Sequence, residues 1–147
     1  MTLFYDFHHT VTDDEIDSQG HVDNLQYLRW TLGAAAGHSA ACGWDKKSAL
    51  ASGFGWVVRS HEAKYRAAAM AGDAIIVRTW ISDVGRYASM RKYVVCRMNE
   101  PEVLTRVQTR WVYVDLRVHQ VVAVPQTIVD GMSVCKTQPP LPWEDAG

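Results

Sequence analysis

The stretch from Leu25 to Cys42 restricts the folds open to this 147-residue chain more than any other. Leu25, Leu28, Leu32, Ala35 and Ala36 recur at helical spacing. Tyr27, Trp30, Thr31, Ala34 and His38 form a second, partly apolar stripe. A helix that is apolar around most of its circumference is expected to be buried rather than to lie on a surface. Asp23 or Asn24 can cap its start, and Gly43 can stop it after Cys42. Its middle reads Gly33-Ala34-Ala35-Ala36-Gly37. Two glycines inside a helix cost about 1 kcal/mol each relative to alanine. Small side chains there let another backbone approach closely, and a sheet wrapped around the helix accounts for that choice.

The remainder reads mainly as strands. Leu3 to Val11 is aromatic and β-branched, and a polar, acidic loop from Thr12 to Gly20 leads from it to the helix. After a loop over Asp45 to Gly55, four further strands are expected: Trp56 to Arg66, Asp73 to Val84, Ala88 to Met98 and Glu102 to Asp115. Ile75, Val77, Thr79 and Ile81 share one face, as do Met90, Val94, Cys96 and Met98. In the last of the four, Val103, Thr105, Val107, Thr109, Trp111 and Tyr113 oppose Arg106, Gln108 and Arg110. That alternation belongs to a half-buried antiparallel sheet. A short strand, Gln120 to Val124, ends at Pro125, and the tail from Thr137, with three prolines, is expected to be irregular. Strand following strand argues against alternating βα units and a parallel sheet. The expected class is α+β: one long helix against a curled antiparallel sheet of five to six strands. A single domain would span residues 1–130 and a Pro-rich tail residues 131–147.

Composition narrows the function. With 48% hydrophobic and 21% charged residues, the chain has the makeup of an ordinary globular domain, which argues against long disorder. A net charge of -1 argues against a broad basic face for nucleic acid. No apolar run approaches the ~20 residues that cross a bilayer, and Met1 to Thr10 lacks the features of a secretory signal. The expectation is a cytoplasmic protein with neither nucleic-acid nor membrane partners. Cys42, Cys96 and Cys135 are odd in number and widely spaced, so they read as free thiols in packing roles. His8, His9, His21, His38, His61 and His119 fall into no ligand pattern, so no metal is expected.

The chemistry concentrates between Asp17 and Trp30. This segment puts a carboxylate, Asp17, in a turn, a glycine, Gly20, to bend the backbone, and then the start of the buried helix. A helix N-terminus offers unpaired N–H groups and a partial positive charge. Such groups can polarise a carbonyl and hold the oxyanion that develops on it. A nearby carboxylate can attack that carbonyl or activate a water. The same Asp17 could equally do no more than form an Asx-turn.

Asp17-Ser18-Gln19-Gly20-His21-Val22-Asp23-Asn24-Leu25-Gln26-Tyr27 resembles the Asp-x-x-Gly-His-Val-Asn-Asn-x-x-Tyr motif of the hotdog-fold acyl-CoA thioesterases, in the group similar to 4-hydroxybenzoyl-CoA thioesterase. The resemblance continues through Arg59 to Tyr65, Gly72-Asp73 and Trp111 to Asp115, and covers roughly Phe4 to Pro125. It implies the hotdog fold, in which the sheet wraps the helix. It also implies a homodimer, or a dimer of dimers, with each site at a subunit interface. The family's catalytic acid falls on Asp17, and its carbonyl-polarising N–H on Asn24. Asp23 stands where the family usually has Asn; it either caps the helix or raises the pKa of Asp17. His21 is a candidate acid or base, or a ring bonded to the loop backbone. Tyr27 and Trp30 either line an acyl pocket or belong to the core, and His61 either reaches the site or is a satisfied, semi-buried histidine. Trp56 falls where relatives shape the acyl pocket. Arg86, with Arg91 and Lys92 nearby, falls where some relatives contact the nucleotide phosphates, and a solvated basic hairpin is the plainer reading.

The resemblance thus implies hydrolysis of an acyl-CoA thioester to a carboxylic acid and coenzyme A, without a metal or redox cofactor. Two alternatives share the scaffold. An enoyl-CoA hydratase or dehydratase would use an Asp-x-Asn-Pro-x-His run, but here Ser18-Gln19-Gly20 separates Asp17 from His21, with no Asn-Pro and one residue too few. A non-catalytic acyl-CoA binder would not need Asp17 beside a helix start.

Overall fold

The computed structural model describes residues 3–44 and 46–144; Asp45 and the last three residues of the expected tail lie outside them. β1 (Phe4–Thr10) leads through a 3-10 turn at Asp13–Glu15 to α1 (Asn24–Ala41). Then come α2 (Lys46–Ser52), β2 (Phe54–Tyr65), β3 (Ala74–Val84), β4 (Ala88–Arg97), β5 (Glu102–Asp115), β6 (Gln120–Val121) and α3 (Gln126–Asp130). The strands pair antiparallel in the order β1-β3-β4-β5-β2, with β6 added to β5. One long helix against a curled antiparallel sheet is the architecture expected above.

Three local expectations change. The loop expected over Asp45 to Gly55 contains α2, where Lys, Ser, Ala and Leu follow one another without a Gly or Pro to break a helical turn. The last strand stops at Val121: Gln120 and Val121 pair with Asp115 and Val114, and beyond them the Val122 N–H donates to the Tyr113 carbonyl at 3.0 Å and the Val124 N–H to the Arg86 carbonyl at 2.8 Å without extending the ladder. The third change is in α1. Its buried residues are Tyr27, Trp30, Thr31, Ala34, Ala35 and His38. Leu25 and Leu32 stay exposed, at 62% and 40%. The mixed aromatic and small stripe therefore faces the sheet, while the leucine stripe splits: Leu25 and Leu32 turn to solvent, whereas Leu28 and Ala35 pack into the core. The two glycines explain this orientation. A Cβ on Gly37 would stand 2.7 Å from the Tyr5 ring, and one on Gly33 would stand 3.0 Å from the Phe7 ring. Aromatic side chains of β1, not backbone, occupy the space that the glycines leave.

The sheet buries both faces. Ile75, Val77, Tyr93, Val95, Leu104 and Val107 pack with Tyr27, Trp30 and Ala34 on the inner side. On the outer side Trp80, Val94, Cys96 and Val103 pack with Cys135, Leu141 and Trp143. Simple alternation places Val103 on the face of Thr105 and Val107, but a bulge between Val95 and Cys96 shifts the register and turns it outward. The segment after α3 thus lies across the sheet, and Val134 bridges Ile81 in parallel. Of the three free cysteines, Cys96 and Cys135 are buried, whereas Cys42 is exposed and does not serve packing. No helix among the described residues is long and apolar enough to cross a membrane.

His38 is 3% exposed and stacks on Tyr5 with ring centres 5.7 Å apart. Burial first, and then the charge of Arg91, push its pKa down to about 4. The unfolded chain takes up this proton near pH 6.5, while the folded chain refuses it until about pH 4. Stability is therefore unaffected by His38 above pH 6.5 and falls as the pH drops through that window, by up to roughly 3 kcal/mol. Denaturant midpoints measured from pH 7 to pH 4 should decline for the wild type and flatten in His38→Gln. An equal slope in both would contradict a neutral, buried His38.

Candidate active site

The loop between β1 and α1 folds into a small hairpin. Ile16 bridges Val22, the Asp17 N–H donates to the His21 carbonyl at 2.9 Å, and the Gly20 N–H donates to the Asp17 carbonyl at 3.1 Å. The turn requires a positive φ of 89° at Gly20, which glycine adopts without strain. The Asp17 side chain closes an Asx-turn: Oδ1 accepts from the Gln19 N–H at 2.8 Å. That contact fixes one oxygen and leaves Oδ2 facing His21 Nδ1 at 3.7 Å. The bland reading and the catalytic one therefore describe the same geometry, since the turn is what orients the carboxylate.

Asp23 caps the helix, with its side chain accepting from the Leu25 N–H at 2.8 Å. Asn24 is the first helical residue and is exposed. Its N–H makes no hydrogen bond to another described residue. It remains the open donor at a helix start. Beside it lies a cleft of ≈ 210 Å³ lined by His21, Val22, Asn24, Tyr27, Tyr65 and residues 66–68. Tyr27 is buried and its hydroxyl accepts from the Ala69 N–H at 2.9 Å. The Val22 N–H donates to the Ala69 carbonyl at 3.0 Å, so the loop and the far wall are tied together. Tyr65 packs edge-on against Tyr27, and its hydroxyl donates to the Asn24 carbonyl at 3.4 Å.

Glu15 anchors this assembly and escaped the sequence reading. One carboxylate oxygen accepts from the Thr12 N–H (2.9 Å) and meets His9 Nε2 (2.7 Å); the other accepts from Trp30 Nε1 (2.8 Å). Its backbone carbonyl accepts from the Asp23 N–H at 3.0 Å. Burial alone would raise its pKa, but the bonds from Thr12, His9 and Trp30 outweigh burial and hold it below its ordinary value. One side chain thus joins the Asp17 loop, β1 and the helix. The signal was present: Thr12 followed three residues later by Glu15 is the spacing of a capping box. Glu15→Ala strands the Trp30 N–H, and should cost about 2 kcal/mol in urea denaturation. An unchanged midpoint would show that the loop holds itself.

Asp17, Gly20, His21, Asn24 and Tyr27 thus gather at one end of the sheet. Trp56 and Arg86 lie elsewhere in the single chain. Trp56 sits nine residues before Tyr65 on β2, about 30 Å along the strand. There it packs edge-on against Tyr113 at 5.2 Å, while Arg86 lies over the Tyr87 ring. His61 lies between Trp56 and Tyr65 on the same strand and is exposed rather than semi-buried, with Nδ1 2.8 Å from Thr109 Oγ1. Arg91 does not join a basic hairpin with Arg86 and Lys92. It is buried and contacts His38, because neighbours on a strand point to opposite faces and Lys92 takes the outer one. Among the described residues no three His, Cys, Asp or Glu side chains stand close enough to hold a metal.

A family model described as the thioesterase-like superfamily matches residues 11–131. No curated protein matches the chain by sequence. Solved structures match over most of their length. A 1,4-dihydroxy-2-naphthoyl-CoA thioesterase from Synechocystis superposes with a TM-score of 0.80 at 19% identity, over 87% of this chain and 94% of the other. A DHNA-CoA thioesterase from Staphylococcus aureus gives 0.80 at 16% identity, over 88% and 86%. A mutant 4-hydroxybenzoyl-CoA thioesterase, complexed with 4-hydroxybenzoyl-CoA, gives 0.81 at 18% identity, over 90% and 100%. These likenesses identify the architecture as the hotdog fold.

Proposed function

The chain belongs to the thioesterase-like superfamily, and from that premise we propose that it hydrolyses an acyl-CoA thioester to a carboxylic acid and coenzyme A. The observation that carries the reading is the pairing of a turn-held carboxylate, Asp17, with an open helix N-terminus at Asn24 across one short loop. In this reading the thioester oxygen accepts from the Asn24 N–H, where the helix end stabilises developing negative charge. The free Oδ2 of Asp17 either attacks the carbonyl carbon or takes a proton from the attacking water. The C–S bond breaks, coenzyme A leaves as a thiolate, and water supplies the new acid oxygen and the proton balance. A thiolate leaves readily, so little leaving-group protonation is required. His21, half-exposed beside Oδ2, supports the carboxylate as a neighbouring acid or base. No metal or redox cofactor enters the scheme.

Tyr27 shapes the acyl side of the cleft, Gly20 bends the loop that brings Asp17 beside it, and His61, Trp56 and Arg86 contribute to substrate binding from a second protomer. Support for that arrangement comes from β2. It is a twelve-residue strand at the edge of the sheet, with Val57, Val58 and Tyr65 exposed along it. Val57, Val58 and Tyr65 leave apolar surface uncovered at the two ends of this edge, on either side of a polar stretch from Arg59 to Glu62, and a second copy of the chain would cover it. A homodimer, or a dimer of dimers, with sites between subunits would bring Trp56 and Arg86 toward the Asp17 of the other copy. The testing experiment is thiol release from a panel of short, medium, long and aromatic acyl-CoAs. Rapid release from at least one supports the reading. No release from any, with acyl-CoA still bound, would overturn it in favour of a binder.

A further inference from the structure

The hairpin that carries Asp17 is closed by three contacts in sequence. At its base the Asp23 N–H donates to the Glu15 carbonyl at 3.0 Å, in the middle Ile16 bridges Val22, and near the tip the Asp17 N–H donates to the His21 carbonyl at 2.9 Å. Asp23 then runs straight into α1 as its cap. A hairpin joined to a helix only at the cap is free to swing about that joint. A second attachment fixes the angle, and Glu15 makes it, because Oε2 accepts from Trp30 Nε1 at 2.8 Å. Trp30 lies six residues after Asn24, about 9 Å along the helix axis. Beyond the cap, this is the one hydrogen bond among the described residues that runs from residues 15–23 to the body of α1.

Both ends of the bridge are firmly seated. Oε1 accepts from the Thr12 N–H at 2.9 Å and from His9 Nε2 of β1 at 2.7 Å. Trp30 is 3% exposed, and the rings of His9 and Tyr27 pack on it with centres 5.0 and 5.1 Å away. Donors from the loop, from β1 and from α1 thus converge on one side chain. A carboxylate accepts at both oxygens and carries no hydrogen of its own, so it can satisfy all three; an amide cannot.

We infer that Glu15 is a positioning residue: its bridge to Trp30 holds the hairpin at a fixed angle to α1, keeps Asp17 in place relative to the Asn24 N–H, and so sets the rate of the chemical step. The rate part of this inference rests on the thioesterase reading, whereas the bridge itself does not. Asp17 stands two residues, about 7 Å, beyond Glu15 toward the tip, so a tilt at the base is carried out to the catalytic carboxylate. A misplacement of about 1 Å between reacting groups can cost roughly 100-fold in rate. Substrate binding is spared, because the cleft wall at Tyr27 is held by the Ala69 N–H and the wall at Tyr65 belongs to β2.

The test begins with Glu15→Gln, which keeps the length of the side chain but has one acceptor oxygen, so either Thr12 or Trp30 loses its bond. Measured well below the melting temperature of each variant, kcat for acyl-CoA cleavage should fall by about tenfold or more while KM stays within about twofold. Glu15→Asp keeps the charge but is one methylene too short for the bridge, and should lose a similar factor. Trp30→Phe removes the donor alone and should also lower kcat, and the double variant Trp30→Phe/Glu15→Gln should be no slower than the slower single, because both break one bond. A Glu15→Gln enzyme that melts lower but keeps kcat within about twofold overturns the inference and leaves Glu15 a stability residue. So does a full rate in Glu15→Asp, or a double variant whose losses multiply. A second arm needs no substrate. Amide hydrogen exchange at Asp17 and Gly20 should quicken by about tenfold in Glu15→Gln, with Val94 and Val95 in β4 unchanged. Unchanged protection of the hairpin overturns the bridge. If the wild type cleaves no acyl-CoA, the thioesterase reading fails, and the exchange arm still upholds or overturns the bridge.

Discussion

Asp17→Asn should lower acyl-CoA turnover by about 10²- to 10⁴-fold while leaving acyl-CoA binding nearly intact. The substitution keeps the shape of the side chain. Its amide oxygen can still accept from the Gln19 N–H, so the Asx-turn and the hairpin closed by the Asp17 and Gly20 N–H groups survive. What disappears is the negative charge on the second oxygen, the atom that faces His21 and would attack the carbonyl or deprotonate water. The open Asn24 N–H and the cleft walls at Tyr27 and Tyr65 are untouched, so the substrate keeps its anchors. Thiol release should be measured beside calorimetric binding of the same acyl-CoA. Near-normal turnover in the variant would remove Asp17 from the chemistry. Equal loss of binding and turnover would instead make it a structural turn residue.

Asp6→Ala should be strongly destabilising, costing about 3–5 kcal/mol. Arg78 passes between β1 and the segment after α3. It grips both oxygens of Asp6, donates to the Pro140 carbonyl at 2.7 Å and covers the Phe4 ring at 4.1 Å. Truncating Asp6 leaves a buried guanidinium with its carboxylate gone. It also loosens the attachment of residues 131–144, whose Leu141 and Trp143 cover the outer sheet face. Adding Arg78→Met removes the stranded charge and should recover part of the loss. Denaturant unfolding of the single and double variants measures both effects. An Asp6→Ala protein as stable as wild type would show that the pair contributes nothing. A double variant weaker than the single would show that Arg78 acts through contacts other than Asp6.

Much of the candidate site was legible because it is local. Asp17, Gly20, His21 and Asn24 fall within eight consecutive residues, so turn geometry and a helix start were enough to bring them together. Glu15 was missed although its capping-box partner Thr12 was in view. Its importance comes from Trp30, fifteen residues away, and from His9 on the preceding strand. Tyr65 was seen only as part of a motif; its contact with Asn24 joins residues 41 apart.

The sequence by itself determined the order of the long helix and the main strands, the antiparallel alternation and the loop that carries Asp17, but not the short helix α2. Those features rest on periodicity and on contacts within a few residues. Only the tertiary structure decided which way each face points. A helical period groups Leu25 with Leu32 and Tyr27 with Trp30, but it does not say which stripe meets the sheet. That was settled by Tyr5 and Phe7 of β1, whose rings need the space above Gly37 and Gly33. Strand alternation separates Arg91 from Lys92 without saying which is buried. The pairing of β4 with β3 and β5 turned Arg91 inward toward His38. Strand pairing likewise set Trp56 far along the sheet from Asp17, because nine residues of β2 separate it from Tyr65 at the cleft.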